Sequence, residues 1–270
     1  MATIARPLAR EGRVSRVPAF HWLEHDLLVF RRGWHSYLLS GLSQPFLYLL
    51  AMGLGLGLYV NRNGGAPGGV PYLNYLAPAL LITQAMMAAA AEAAWPVMAK
   101  IVWEKTYLAA LNTPLGSVDL LAGDLMWIVF RLLLTSTLFL AAIVVLGAAS
   151  SPLVVLAVPV AVLTGLAFAA PIMALTATLK SDNGFNVLFR FGITPLFLFS
   201  GTFFPISKLP LFLQPVAWIT PLYHGVDLGR SLSLGQVDPI AAVVDIAVLM
   251  AFVVVGIWAA RITFRRRLEV

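Results

Sequence analysis

Residues 241–260 read AAVVDIAVLMAFVVVGIWAA, and residues 132–147 read LLLTSTLFLAAIVVLG. Each is apolar on every face of a helix, with Asp245 the only charge in either run. A bilayer core takes roughly 20 apolar residues per helix, so runs of this kind read as transmembrane helices. A barrel would instead need strands of about 10 residues with alternating polarity. Further stretches of the same character lie at 37–60, 73–97, 153–179 and 184–204. With spans at 122–147 and 239–260, the expectation is an all-α membrane protein of six transmembrane helices.

The charge distribution sets the orientation. Hydrophobic residues make up 60% of the 270-residue chain and charged residues 11%, with a net charge of +6. Arg6, Arg10, Arg13, Arg16, Arg31 and Arg32 precede the first span, and Arg261, Arg265, Arg266 and Arg267 follow the last. An even number of spans leaves both ends on one side, and the positive-inside rule makes that side cytoplasmic. Loops assigned inside carry Lys100, Lys105, Lys180 and Arg190, whereas outside loops carry only Arg62, Lys208 and Arg230. Basic residues flanking spans are accounted for by topology and anionic lipid. Nucleic acid is not an expected partner, because the aromatic and basic interleaving of single-strand binders is missing.

Residues 1–17 read as a flexible basic tail, without the apolar core and cleavage site of a signal peptide. From Pro18 the pattern changes. In AFHWLEHDLLVFRRGW, Phe20, Leu23, Leu27, Phe30 and Trp34 recur at helical spacing, which predicts an amphipathic interface helix at 18–35 against membrane lipid. The same face would equally suit a soluble partner. The transmembrane domain then runs over 36–262, and a basic cytoplasmic tail over 263–270. In MGLGLGLYV at 52–60, Gly53 and Gly57 form a GxxxG step that admits a neighbouring helix. Prolines at 152, 159 and 171 predict kinks in the fourth span.

Two connections stand out. The cytoplasmic stretch at 98–123 has helix formers and an apolar face over about 102–111 and is stopped by Pro114, giving either a short docking helix or an ordinary loop. The stretch at about 205–235 is too apolar for a free loop and too broken by Pro205, Pro210, Pro215 and Pro221 for a spanning helix. It is expected to form short helices at or within the outer membrane face, with Phe212, Trp218 and Tyr223 as interface anchors.

Chemistry-bearing residues are sparse. Glu92, Arg131, Arg190 and Asp245 fall within or at the ends of spans, where charge is expensive. Pairing of Glu92 with Arg131 or Arg190 is the expected solution, with a proton relay as the rival. Phe46, Tyr48 and the phenylalanines of 197–204 either line a lateral route or simply pack. No cysteine is present, which excludes disulfides and thiolate sites. His21 and His25 lack an HExxH context, so no metal site is expected. No serine-nucleophile elbow occurs, so no catalytic residue is assigned. Neither is there a GxxxxGK[ST] loop, so ATP chemistry would have to reside elsewhere.

The sequences WEKTYLAALNTPLGSVDLLAGD at 103–124 and FSGTFFPISKLPLFLQPVAWITPLYHGVDLGR at 199–230, behind a basic amphipathic helix, resemble permeases of the type 2 ABC exporter superfamily. The second stretch is most similar to the nodulation-factor lipo-oligosaccharide exporter branch, which is related to O-antigen and drug exporters. That resemblance implies a half-transporter in a bacterial inner membrane. Two permease copies, expected to be identical, would dock two cytoplasmic ABC ATPase subunits that bind ATP and Mg, leaving this chain without cofactors or enzymatic activity. It also implies that Glu104, Lys105, Thr106, Tyr107, Leu108 and Leu111 belong to the ATPase-coupling helix. The turn at 181–183 would be a second contact, and Phe203, Phe204, Pro205, Trp218 and His224 would close the exit. A proton-driven secondary transporter of amphipathic substrates and a non-catalytic assembly subunit are the alternatives.

Overall fold

The computed structural model of the chain describes residues 18–62, 69–211 and 214–269. The expected basic tail at 1–17, most of the outer connection at 61–71 and Phe212 lie outside them. The described residues are helical throughout, and no strand occurs among them. In chain order, α1 (Pro18–Tyr48) runs through a π-helical stretch (Leu49–Leu56) into α2 (Gly57–Arg62). Then come α3 (Tyr72–Met98), a π turn (Ala99–Trp103), α4 (Thr106–Ala110) and α5 (Ser117–Val145). A 3₁₀ turn (Pro152–Leu156) opens α6 (Ala157–Thr178). The segment at 183–199 comprises α7 (Asn183–Val187), a π stretch (Leu188–Ile193) and α8 (Thr194–Phe199). After it come α9 (Gln214–Ile219), α10 (Pro221–Leu234) and α11 (Pro239–Leu268).

Four helices are long and apolar enough to cross a bilayer: Tyr72–Trp103, Ser117–Val145, Pro152–Thr178 and Pro239–Leu268. The regions expected to hold the first and fifth spans are helical as well, but shorter apolar pieces: Phe46–Arg62, and 183–199 with its π stretch. Their local widening matches their composition, since glycines at 53, 55, 57 and 192 weaken regular helix formation.

α3 and α6 form the centre of the packing. α3 buries alanines 85, 89, 90, 93 and 94 along much of its length, and α6 buries alanines 161, 169 and 170. Small side chains let helix axes approach where lipid offers no hydrophobic drive for association. α11 lies on the other side of α6, where a Cβ at Gly256 would sit 2.5 Å from the Pro171 Cδ. Its outer face carries Val243, Val254, Val255 and Trp258 exposed, as lipid contact requires. Gly53 of the GxxxG step meets Leu73 of α3, so its close neighbour is the start of the second span.

Three boundaries differ from expectation. The interface helix and first span form one element with a bend at Gly33 (φ −124°, ψ 16°), where a residue without Cβ tolerates the break. The short helix expected at about 102–111 is confined to Thr106–Ala110, because Ala99–Trp103 stay in the π turn that continues α3. The C-terminal basic segment is not a loose tail: α11 continues through Arg265, Arg266 and Arg267, and Glu269 accepts a hydrogen bond from Ser117 Oγ at 2.5 Å. Cations in a last helical turn favour this continuation by interacting with the C-terminal carbonyl groups.

Replacing Gly256 with Val should destabilise the protein by about 1–3 kcal/mol, because proline ring and backbone atoms have little room to yield. A thermal unfolding midpoint measured in detergent, compared with Val255→Ala on the exposed face, checks this.

Candidate functional site

At the α4 end of the bundle, one buried carboxylate gathers four elements. Asp124 sits on α5, about two turns after its start at Ser117, and is 2% exposed. Its Oδ1 accepts from Trp22 Nε1 of α1 at 2.8 Å and from Lys100 Nζ of the π turn at 2.7 Å. Its Oδ2 accepts from the Tyr107 hydroxyl of α4. Lys100 also donates to Asp26 Oδ2 of α1 at 2.7 Å, and its ammonium stands over the Trp22 ring. The Tyr107 ring lies 5.7 Å from Trp22 and 5.9 Å from Phe264 of α11.

The local sequence explains the convergence. On α1, Trp22 and Asp26 are four residues apart and share a face. At Gly123, a Cβ would come within 2.6 Å of the Trp22 ring, so glycine is what lets the two helices close enough for the indole to reach Asp124. Lys105 adopts a left-handed backbone (φ 54°), which turns the chain from the π turn into α4 and directs Tyr107 inward. Burial, reinforced by Asp124, pushes the Tyr107 phenol well above its ordinary value. The hydroxyl therefore stays protonated and donates throughout the physiological range.

α4 is thus two-faced. Tyr107 is 0% exposed and Ala110 is buried, while Trp103, Glu104, Lys105, Leu108 and Ala109 face outward. Thr106 and Leu111 are half-buried at its edges. The expected interface residues divide similarly: Phe20 and Trp34 are exposed, and Leu23, Leu27 and Phe30 are half-buried, with Phe30 against Trp127 and Phe130. The face of α1 that turns into the protein holds Ala19, Trp22 and Asp26 instead.

Above this cluster, Glu92 of α3 accepts from Arg131 of α5 and from Trp127 Nε1 at 3.3 Å. A cavity of about 280 Å³ connects the two charge clusters, lined by Trp22, Asp26, Glu92, Lys100, Thr106 and Arg131. Arg190 lies away from both, exposed on the π stretch between α7 and α8.

At the opposite end, α10 folds onto α3, α6 and α11, and α9 packs against α10 and the turn at 206–208. His224 Nδ1 lies 2.7 Å from Asp245 Oδ1, and Nε2 lies 2.9 Å from the Trp218 carbonyl. Arg230 stacks on Tyr75 and donates to the carbonyls of Tyr75 and Gly201. Phe203 packs edge-on against Phe197, which in turn meets Tyr48, while Phe204 is exposed beside Pro205. Of the residues singled out in the sequence, His224, Trp218 and Asp245 thus come together. The anchoring roles of Trp22, Asp26, Lys100, Asp124 and Arg230 are not specified by the periodicity of any one helix.

A helical chain with several apolar crossings, a two-faced helix under one end and a folded helix pair at the other defines a multi-pass membrane transport protein. The model of the ABC-2 type transporter family matches residues 21–234, and the chain belongs to that family as a type 2 ABC permease. It is 33% identical over 261 residues to Nodulation protein J of Rhizobium leguminosarum bv. viciae, covering 94% of this chain and 98% of the relative. Nodulation protein J of Sinorhizobium fredii is 32% identical over 258 residues, covering 91% and 96%, and that of Rhizobium meliloti is 32% identical over 263 residues, covering 94% and 97%.

Tyr107→Phe keeps the ring and removes the donor, leaving a buried carboxylate oxygen short of one hydrogen bond. The expected loss is about 1–3 kcal/mol, read as a lower unfolding midpoint. Leu108→Ala, on the outward face, should leave that midpoint within about 0.5 kcal/mol of the parent.

Proposed function

We propose that this chain is the transmembrane subunit of an ATP-driven exporter in a bacterial inner membrane. It pairs with a second permease copy and takes its energy from two separate ABC ATPase subunits, which bind ATP and Mg. The observation that carries the reading is the two-faced α4. Its inner face is fixed by Tyr107 to Asp124, while Glu104, Lys105 and Leu108 are left outside for a partner. Such a helix acts as a rigid handle: a displacement applied to it reaches α5 through Asp124, α3 through Lys100, and α1 through Trp22 and Asp26. Six crossings, with both termini in the cytoplasm, follow if Phe46–Arg62 and the 183–199 segment complete the four long spans. The exposed turn at 181–183 supplies the second partner contact.

The cargo is a lipid-linked glycan, a lipo-oligosaccharide or an amphipathic drug-like molecule, the classes that the resemblance to type 2 ABC exporter permeases implies. The α9–α10 pair, with Phe203, Phe204, Pro205, Trp218 and His224, closes its exit. A proton-driven mechanism finds less support. Of its candidate proton sites, Glu92 and Asp245, the first has both oxygens engaged by Arg131 and Trp127 and the second is paired with His224.

Co-expression with the cognate ATPase, purification and reconstitution test this reading. Glu104→Ala combined with Leu108→Ala should weaken ATPase retention about tenfold or more, the loss expected when a central contact of an interface is truncated. Cargo export should fall with it, and the unfolding midpoint should hold. Export driven by a proton gradient with no ATPase bound would sink the proposal.

A further inference from the structure

α10 packs against α11, and within that contact one imidazole forms the ion pair between them, His224 with Asp245. His224 Nδ1 faces the Asp245 carboxylate at 2.7 Å, and Nε2 faces the Trp218 carbonyl at 2.9 Å. Both partners are acceptors. A neutral imidazole has only one N–H and would point a lone pair at the other oxygen, whereas the imidazolium donates to both. The arrangement is therefore fully satisfied only by the protonated ring, which ties α9, α10 and α11 together at one point.

The surroundings support the same protonation state. Asp245 is 5% exposed on an otherwise apolar stretch of α11, and His224 is its only hydrogen-bond partner among the described residues. A buried carboxylate without a cation is costly, so loss of the proton would leave that charge uncompensated. The groups facing the ring are Asp245 from α11, the Trp218 carbonyl from α9, and Asp227 and the neighbouring Tyr223 on its own helix. Arg230, farther along α10, is held by the Tyr75 ring and carbonyl of α3 and by the carbonyls of residues 201 and 202. No second cation reaches Asp245 among the described residues.

We propose that His224 is a proton-controlled latch, closed when the imidazole is protonated and released when it is neutral, that holds the α9–α10 pair against α11. The hydrogen bond with Asp245 raises the imidazole above its ordinary value, burial opposing and the Trp218 carbonyl assisting. A raised value means that the contact is complete at and below the ordinary imidazole value and is lost as pH rises through the raised one. The inference depends on the exporter reading only for its meaning as an exit control. The latch itself is read without ATPase or cargo.

The full chain in lipid nanodiscs, labelled with ¹⁵N-histidine, tests the protonation state directly. Only four histidines are present, and His224→Gln assigns the resonance. His224 should titrate with a midpoint above 6.5, its ordinary value, and Asp245→Asn should move that midpoint down. The chain has no cysteine, so spin labels at V216C and V243C report the α9–α11 separation alone. That distance should lengthen or broaden between about pH 6 and 9 in the parent, and should not respond to pH in His224→Gln. A ring that is neutral at pH 6.5, a midpoint unmoved by Asp245→Asn, or an equal pH response in His224→Gln would overturn the latch. If His224→Gln does not fold, the parent titration and Asp245→Asn still decide it. If the latch stands while ATPase retention fails, only the exporter reading falls.

Discussion

A carboxylate at 2% exposure imposes a condition on everything around it. Desolvating Asp124 costs several kcal/mol unless donors and a cation replace the lost water. Here the replacements come from an indole on α1, an ammonium on the π turn after α3 and a phenol on α4. No two of these donors share an element, so satisfying one side chain fixes the relative placement of four pieces of backbone. The shared ammonium extends the condition to Asp26, a second buried carboxylate. Removing any one donor leaves a buried acceptor without its partner, which makes the cluster cooperative rather than additive.

That condition gives a five-residue helix a mechanical role its own stability would not support. An isolated helix of this length does not persist in water. α4 is held by Tyr107 beneath it, by Phe264 of α11 beside that ring, and by the π turn leading into it. Force applied to its outward face therefore meets buried, hydrogen-bonded contacts instead of a flexible loop. In the exporter reading, this is why a short connection between two spans can transmit an ATPase movement to α1, α3 and α5 together.

How much of this was legible in the sequence depends on the range of the interaction concerned. Long apolar runs such as 241–260 are local signals, and the four long helices follow them closely. The proline-broken stretch at 205–235 announces short helices for a similarly local reason: proline suits a first helical turn and disrupts an interior one. Trp22 and Asp26 carried no such signal. Their face of α1 is the less apolar one, and its burial depends on Gly123 and Lys100, distant in sequence. Membership of the coupling helix does not say which way Tyr107 faces; its side chain points inward, because a left-handed residue at Lys105 sets the helix face. The end of the chain went the same way, since the contact between Ser117 and Glu269 joins residues far apart in sequence.

The two ends of the bundle solve one electrostatic problem with different cations. At the α4 end, Asp124 is matched by a lysine, whose ordinary pKa of about 10.4 keeps it charged near neutral pH. At the α10 end, Asp245 is matched by a histidine, the side chain whose charge changes near neutrality. A permanent pair suits a joint that must transmit force in every state of a cycle, because a handle that loosened with pH would decouple from the spans. A conditional pair suits a closure that has to open. In the exporter reading, exchanging the cations would give a rigid exit above a yielding handle, so this choice of residues would set which end of the molecule is free to move.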